Sequence, residues 1–265
     1  MKVELISDPG DSRVNLFRNL NDIPFRKRFE GEQGIFVAEG LAAAERVVAA
    51  GLGRSMLIDV RHQDRLDERW EIPILVAECP VIDQIVGFRM HRGCVAVGNR
   101  LPFRDLPFLK DAAVVGVFEG VSDHENLGAL IRTSAALGVD AVLMDATTAD
   151  PWYRRSVRVS MGAVSLVPMV RSPDLSESLR RLKEFGFQVV ALSPSGSIPI
   201  GSWVPGRKTA LLVGSEGPGL TDGALCCCDK EISIPMERGI DSLNVGHAYA
   251  IALHWVLNVG GESDS

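Results

Sequence analysis

The C-terminal half of the chain alternates short apolar segments of strand length with segments of helical periodicity. This alternation constrains the fold most strongly. The apolar segments include AAVVGVFE from residue 112, VDAVLM from residue 139 and TALLVG from residue 209. Strands that are apolar along their whole length and separated by helices are typical of a parallel sheet covered on both faces. The sequence therefore predicts an α/β fold here, with a ligand site beyond the carboxyl ends of the strands.

The N-terminal half repeats this alternation with shorter elements. GIFVAEG from residue 34 and RSMLIDV from residue 54 predict strands, and the amphipathic segment between them predicts a helix that ends at Gly51. The segment RLPFRDLPF from residue 100 has prolines at 102 and 107 and no helical period, which indicates a linker. We therefore expect two domains, residues 1–105 and 106–265.

Length and composition indicate a globular chain. Its 265 residues, 46% of them apolar, can bury a substantial core. The N-terminus has no apolar stretch of signal-peptide length, and no segment reaches the roughly 18 apolar residues of a membrane span, so we expect a cytoplasmic protein without membrane contact. The five cysteines lack paired metal-ligand spacing and are expected to be reduced and mostly buried. They are Cys79, Cys94, Cys226, Cys227 and Cys228.

The net charge of -6 argues against nucleic acid, but the distribution of charge matters more than its sum. The run RVNLFRNLNDIPFRKRF contains Arg26, Lys27 and Arg28, and the run WYRRSVR contains Arg154 and Arg155. Each run alone is better explained as a solvated helix face. Two basic runs that also carry aromatic residues make an RNA or DNA surface an equal alternative.

The segment FEGVSDHENLGALIRTSAALG follows the first strand of the C-terminal half. Its apolar residues form one helical stripe, with Asn126 expected as the N-cap and Gly138 as the stop. Arg132 lies off that stripe. It is either an ordinary surface arginine or, given its place after a strand and a capped turn, a ligand for phosphate or carboxylate.

The loop GSEGPGL, which begins at Gly214, resembles a phosphate cradle in its glycines but has no lysine and carries Glu216. A carboxylate is suited to accept hydrogen bonds from ribose hydroxyls, an amine or a guanidinium. The glycines would let the backbone approach a planar or cationic ligand closely. A plain tight turn has the same composition, so this loop alone does not separate the two.

The segment ISIPMERGIDSLNVGHAYAIALHW combines a strand, a polar loop and a final helix that is apolar almost all round. Ser242 and Asn244 are expected in the first turn of that helix, and the apolar surface implies burial or a partner chain. His247 and His254 have no companion ligands at metal spacing, so we expect core or interface histidines and no metal.

Taken together, NLGALIRT, LLVGSEGPGL and ISIPM…SLNV resemble, in order and spacing, the three motifs of the SpoU or TrmH-like RNA ribose 2′-O-methyltransferases of the SPOUT superfamily. RRSVRVSMGAV resembles the connecting segment of that family. The N-terminal half is similar, more loosely, to the ribosomal-protein-like RNA-binding domain found in these enzymes. The likeness covers residues 114–257 most strongly.

The resemblance implies an α/β fold with a C-terminal parallel-sheet SPOUT domain that contains a deep trefoil knot, preceded by a small RNA-binding domain. It implies a homodimer formed through the last helix and S-adenosyl-L-methionine as cofactor. It places the cofactor against Leu192, Gly214, Ile234, Met236 and Leu243. The catalytic group would be Arg132 with Asn126, Glu216, Ser242 and Asn244, acting on rRNA or tRNA.

Two departures from the family pattern stand out. Gly246 occupies a position where a small hydroxyl residue is common, and DHEN replaces the usual Asp-Pro-Gly-Asn turn. Two other classes of protein remain as alternatives. A nicotinamide-dependent oxidoreductase fits the alternation of strands and helices, but neither half has a GxGxxG after its first strand. A catalytically silent RNA-binding protein with this fold fits the basic runs.

Overall fold

The computed structural model of the chain describes residues 2–259, and their contacts divide it into two compact units. One unit combines the chain up to Leu101 with Pro151–Leu166, and the other combines Pro102–Asp150 with the chain from Val167 onward. The division after residue 101 lies at the start of the expected linker. The sequence assigned 151–166 to the second domain, but this segment packs with the first unit. The Trp152 ring is buried against Phe36, with ring centroids 4.8 Å apart.

The first unit is built on a mixed sheet of five strands. Strands and helices are each numbered in order along the whole chain. The strands are β1 Lys2–Ile6, β2 Ile35–Glu39, β3 Gly53–Asp59, β4 Pro73–Ala77 and β5 Cys94–Asn99, in the order β1-β4-β3-β5-β2. The helices are α1 Ile23–Gln33, α2 Leu41–Ala49, α3 Cys79–Val86 and α5 Arg154–Val159. Strand β5 runs antiparallel to both of its neighbours, β3 and β2, whereas β1, β4 and β3 pair in parallel. Its reversal brings the start of β5 to the edge where β2 and β3 end.

The second unit is built on a fully parallel sheet of seven strands, as its apolar strand sequences predict. The strands are β6 Val114–Phe118, β7 Ala141–Met144, β8 Met169–Arg171, β9 Gln188–Leu192, β10 Ile198–Pro199, β11 Thr209–Val213 and β12 Lys230–Ser233. They lie in the order β10-β12-β9-β11-β6-β7-β8. The helices of this unit are α4 His124–Leu137, α6 Leu175–Glu184, α7 Asp222–Leu225 and α8 Val245–Val259.

Helices cover both faces of this sheet because successive strand residues point to opposite faces. Val115 and Val117 share a buried cluster with Leu179 and Leu182 of α6. Between them in sequence, Gly116 faces the other way, and a Cβ built there would overlap the hydroxyl of Tyr249 on α8. Glycine at this position therefore allows α8 to lie against β6, and α8 in turn packs against α4.

Helix α4 follows the predicted apolar stripe but begins earlier than expected. Its N-cap is Asp123, whose carboxylate accepts hydrogen bonds from the backbone N–H groups of Glu125 and Asn126 at 2.8 and 2.9 Å. The expectation that Asn126 is the N-cap is therefore wrong. The helix ends as predicted at Gly138, which has a left-handed φ of 80°. The shift leaves the Asn126 side chain free to make other contacts.

A buried hydroxyl pair joins α4 to α8. Tyr249 is fully buried, and its hydroxyl lies 2.9 Å from Ser134 Oγ, which also donates to the Leu130 carbonyl oxygen at 2.9 Å. Burial raises the pKa of Tyr249, so the phenol is neutral across the physiological range. This contact fixes the spacing of the two helices whose N-terminal ends meet at the candidate site.

We expect Ser134→Ala to destabilise the protein by about 1–3 kcal/mol, because the Tyr249 hydroxyl would remain buried without a partner. Tyr249→Phe should cost less, since Ser134 keeps its bond to Leu130. The double variant should be no less stable than Ser134→Ala alone. Urea unfolding of the four proteins measures this coupling, and additive losses would contradict it.

Candidate functional site

A cavity lies at the carboxyl edge of the parallel sheet in the second unit. The strand direction brings the loops after β9, β11 and β12 together there. The cavity has a volume of about 630 Å³, which is within the usual range for small-molecule sites. It is lined by all five residues predicted to hold the cofactor: Leu192, Gly214, Ile234, Met236 and Leu243.

The loop Ser215–Leu220 forms one wall of the cavity, and glycine is needed where it leaves β11. A Cβ built at Gly214 would lie 2.7 Å from the backbone nitrogen of Leu220, so no larger residue fits that crossing. Gly217 and Gly219 have φ angles of 87° and 72°, which other residues rarely adopt. The backbone path of the loop therefore explains the glycines at positions 214, 217 and 219.

A buried carboxylate fixes the far end of this loop. Glu119, directly after β6, accepts hydrogen bonds from the Thr221 hydroxyl at 2.7 Å and from the Thr221 backbone N–H at 2.9 Å. The same hydroxyl accepts from the Ala224 backbone N–H and caps α7. Neither Glu119 nor Thr221 was singled out from the sequence. The sequence could have indicated Glu119, because an acidic residue that directly follows a strand of a parallel sheet lies at the edge where ligands bind.

Asn244, in the segment after β12, joins that segment to α4 and to the loop after β11. Its Nδ2 donates to Asn126 Oδ1 at 2.9 Å and to Glu216 Oε1 at 2.7 Å. Its Oδ1 accepts from the Gly246 backbone N–H at 2.9 Å, which makes Asn244 the cap of α8. Residues that the sequence analysis selected separately from three motifs thus form one hydrogen-bonded cluster at the cavity.

Ser242 lines the cavity but lies outside α8, two residues before Asn244. The expectation that Ser242 and Asn244 belong to the first helical turn is therefore wrong, because the helix begins at Val245. Asp241 also lines the cavity and was not selected from the sequence. Together with Glu216 it makes the polar lining anionic, which suits a ligand that carries positive charge.

Arg132 lies apart from this cluster. It is exposed on α4, makes no ion pair or hydrogen bond within the described residues 2–259, and does not line the cavity. Six residues separate it from Asn126, a rise of about 9 Å along the helix. Its guanidinium is therefore available to a ligand that extends from the cavity along α4. The spacing of four residues also predicts that Gly128 shares the open helix face of Arg132, but Gly128 is buried.

The residues expected to contact RNA differ in exposure. Arg26 is only 5% exposed, and its guanidinium donates to Glu30 Oε1 at 2.9 Å and to the Leu16 carbonyl at 3.0 Å. Burial lowers the pKa of Arg26 and raises that of Glu30, while their mutual attraction opposes both shifts. Arg26 is therefore held inside the first unit and is not exposed to contact a phosphate. Lys27 and Arg28 are exposed.

In the second basic run, Arg155 is exposed and Arg154 is half-buried. Arg154 forms an ion pair with Glu39 at 2.7 Å, and its guanidinium lies over the Phe88 ring, 5.4 Å from the ring centroid. Trp152 is buried, so it cannot serve as the stacking surface that an aromatic beside a basic run suggests. Internal packing explains much of this run.

The structure also shows the exposure of the cysteines and of helix α8. All five cysteines are free thiols, but only Cys94 is buried, whereas Cys226 is exposed and the others are half-buried. On helix α8, His247, Ile251 and His254 are exposed. Within residues 2–259, no three potential metal ligands cluster, and no helix is long and apolar enough to cross a membrane.

The fold and the cavity define an α/β protein with a candidate small-molecule site at the carboxyl edge of a parallel sheet. The chain belongs to the SpoU rRNA Methylase family, which matches residues 113–254. The family resemblance inferred from the three motifs is therefore confirmed. Membership identifies the chain as an RNA methyltransferase of this family, and proteins of the family have been solved with S-adenosylmethionine bound.

Two relatives illustrate the range of similarity. An uncharacterised tRNA/rRNA methyltransferase of Mycobacterium tuberculosis is 40% identical over 263 residues, which cover 96% of this chain and 91% of the relative. The 23S rRNA (guanosine-2′-O-)-methyltransferase RlmB of Escherichia coli is 30% identical over 188 residues, which cover 69% of this chain and 77% of RlmB. The match to the mycobacterial protein thus includes most of the N-terminal half.

A solved structure, the AdoMet-bound rRNA methyltransferase from Sinorhizobium meliloti, superposes with a TM-score of 0.80 at 23% identity and covers 96% of this chain and 97% of its own. The SpoU methyltransferase AviRb from Streptomyces viridochromogenes gives 0.76 at 24% identity, with coverages of 94% and 98%. At these identities the likeness concerns the fold, and it confirms the α/β class with a parallel sheet.

Proposed function

We propose that this protein transfers a methyl group from S-adenosyl-L-methionine to the 2′-hydroxyl of a ribose in structured RNA, either rRNA or tRNA. The observation that carries the proposal is the hydrogen-bonded cluster of Asn126, Glu216 and Asn244 beside the cavity. Relatives named for 2′-O-methylation of guanosine in 23S rRNA support the same reaction.

The residues of the cavity fit this cofactor. Leu192, Ile234 and Met236 offer apolar surface, while Glu216 and Asp241 offer negative charge. S-adenosylmethionine carries a sulfonium and an ammonium group, and both are attracted to carboxylates. The close backbone crossing at Gly214 leaves main-chain atoms as the lining near β11. When bound, the cofactor supplies an electrophilic methyl group.

The chain's own residues would position the acceptor. Asn244 fixes the Glu216 carboxylate and the Asn126 amide, so their remaining lone pairs and N–H groups point in defined directions. Ser242 adds a hydroxyl to the same wall. A guanidinium is a poor general base, so we assign Arg132 to gripping the RNA phosphate and polarising the 2′-hydroxyl. The ribose oxygen gains the methyl group as the S–CH3 bond breaks, S-adenosylhomocysteine leaves and the hydroxyl proton passes to water. Because the sulfonium charge is lost in this step, alignment matters more than acid catalysis.

We also propose the finer architecture implied by the family: a deep trefoil knot in the C-terminal part, a homodimer through α8, and an RNA-binding role for the N-terminal domain in the cytoplasm. A close approach of distant backbone segments supports the knot at Gly196, where a Cβ would lie 2.9 Å from the Ser233 backbone nitrogen. Ile251, 45% exposed on α8, supports the dimer. Light scattering at micromolar concentration tests the dimer, and a monomer would count against it.

We expect the purified protein to bind S-adenosylmethionine in calorimetry and to be stabilised by it. At a hundredfold excess of cofactor over its dissociation constant, the free energy of unfolding should rise by about 2.7 kcal/mol.

With cognate RNA, labelled methyl should appear on ribose, detected by mass mapping of nuclease digests. The same digests identify the nucleotide, and RNA from a deletion strain provides the unmodified substrate.

The catalytically silent RNA-binding protein predicts a different outcome from the same measurements. It would bind RNA without binding S-adenosylmethionine, and labelled methyl would not be transferred. Methyl found on a base instead of the ribose would keep the cofactor site and overturn the 2′-O assignment.

A further inference from the structure

A group of basic side chains gathers at one edge of the sheet in the first unit, outside the runs selected from the sequence. The antiparallel register places Glu39 opposite Val95 and Ile58 opposite Cys94, so β2 and β3 end where β5 begins. The loop 87–93, GFRMHRG, enters β5 at this edge. Its Arg89, His91 and Arg92 are exposed and make no ion pair or hydrogen bond within the described residues.

The loop is held in a defined shape by its neighbours. Gly87 ends α3 with a left-handed φ of 85°, and the Met90 backbone N–H donates to Asp83 Oδ1 at 2.7 Å. The Arg92 stem lies against Gly40, with Cδ 3.4 Å from a Cβ built there. The loop backbone is thus held at Gly87 and Met90, and the stem of Arg92 is packed against Gly40.

Further basic groups flank the loop. Arg154 stacks on Phe88 while pairing with Glu39, which immediately precedes Gly40. On the other side, Arg61 lies two residues beyond the end of β3 and pairs with Asp59. We call Arg61, Arg89, His91, Arg92 and Arg154 the basic edge.

Within the described residues, no ion pair offsets the charges of Arg89 and Arg92. The segment from Gln84 to Arg104 contains no Asp or Glu. The two carboxylates that pair with its arginines are buried beneath them: the Asp59 side chain is 1% exposed against 68% for Arg61, and Glu39 is 9% exposed against 29% for Arg154. Glu78, directly after β4, is exposed at the same edge. The loop 87–93 itself contains no carboxylate.

We propose that the basic edge is the RNA-binding surface of the first unit and that Arg89 and Arg92 contact phosphates of the RNA backbone. This inference rests on the proposed function for its choice of RNA over another polyanion. Phe88 is half-buried and covered by Arg154, so it offers no free ring face for a base. The edge is therefore expected to add affinity that depends on salt and not on sequence.

The test compares the full-length protein with Arg89→Gln/Arg92→Gln on two probes, deproteinised 23S rRNA and unfractionated tRNA. Loss of two phosphate contacts should lower the slope of log affinity against log salt by about 1.5 to 2, and should weaken binding about tenfold or more at low salt. Arg54→Gln is the matched control, because Arg54 is an exposed arginine at the opposite, amino end of β3. Thermal melts verify that each variant is folded.

An unchanged salt slope in Arg89→Gln/Arg92→Gln would overturn the inference, as would an equal loss in Arg54→Gln. Lys27→Gln/Arg28→Gln serves as a competing variant, and a slope change confined to it would assign binding to α1 instead. Calorimetry with S-adenosylmethionine on the same samples separates the proposal for the basic edge from the proposed methyltransferase function. Edge-dependent RNA binding without cofactor binding would support the basic edge and overturn the methyltransferase, whereas a wild-type protein that binds no RNA would overturn both.

Discussion

Replacing Arg132 by Ala is expected to lower methyl transfer by about 10²–10³-fold while leaving fold and cofactor affinity nearly unchanged. Arg132 is exposed on α4, outside the apolar stripe, and lacks partners within the described chain, so its loss should alter stability by no more than about 0.5 kcal/mol. It also lies outside the cavity that would hold the cofactor. The effect should therefore appear in transfer to RNA alone.

The measurement is single-turnover transfer of labelled methyl to cognate RNA, beside calorimetry with S-adenosylmethionine. Arg132→Lys should restore activity poorly, because an ammonium cannot reproduce the planar, two-pronged donor of a guanidinium. Arg181→Ala is a matched control, since Arg181 is an exposed arginine of α6, the helix on the opposite face of the sheet. Transfer near the wild-type rate by Arg132→Ala would remove the residue from the mechanism, and full rescue by Lys would reduce its role to simple charge.

A rise in the RNA concentration needed for half-saturation, with an unchanged maximal rate, would assign Arg132 to RNA binding only. A fall in the maximal rate at saturating RNA would assign it to the reacting geometry. The exposed position on α4 is compatible with both, because the same guanidinium can hold a phosphate and orient the neighbouring ribose. The split between the two constants therefore decides how Arg132 acts.

Local patterns predicted the second unit well. Its strands are apolar along their length because both faces are buried, so composition and spacing alone locate them. The start of α4 was misplaced because Asp123 and Asn126 are both good caps, and only the structure shows that the Asp123 carboxylate receives two backbone N–H groups. The three cavity loops could be matched because each lies directly after a strand of one parallel sheet.

The basic residues were predicted less well, because a run of charge does not reveal which members are buried. Arg26 is buried together with Glu30, four residues later on the same helix face, and that spacing was the available signal. The packing of 151–166 with the first unit depends on contacts such as that of Trp152 with Phe36, more than 100 positions apart. No local pattern reports such contacts, and the basic edge is likewise assembled from separate elements.

The second large effect is expected at Asn244, where one amide performs two tasks. Its Oδ1 caps α8 through the Gly246 backbone N–H, and its Nδ2 donates to Asn126 and Glu216. Asn244→Ser keeps a good cap but loses the two-pronged donor, so stability should change by a few tenths of a kcal/mol while transfer falls about tenfold to a hundredfold. Asn244→Ala should lose as much activity and about 1 kcal/mol of stability as well.

Asn244→Asp gives the sharpest result because it keeps the cap oxygen and replaces the donor by a second carboxylate. The Nδ2 position is 2.7 Å from Glu216 Oε1, so two negative oxygens would meet there at neutral pH. Mutual repulsion raises the pKa of the pair, and one shared proton restores a donor between them. Relative to wild type, Asn244→Asp should therefore transfer methyl poorly above that raised pKa and recover as the pH falls through it.

The control for this pH effect is Glu216→Gln in the Asn244→Asp background. The second substitution removes the repelling charge and supplies an N–H of its own, so the recovery at low pH should disappear and some activity should return at neutral pH. Rates are measured at saturating cofactor and RNA from pH 5.5 to 8.5, each divided by the wild-type rate. A constant ratio across that range would show that Asn244 does not act through Glu216, and the cluster would then be structural rather than part of the acceptor site.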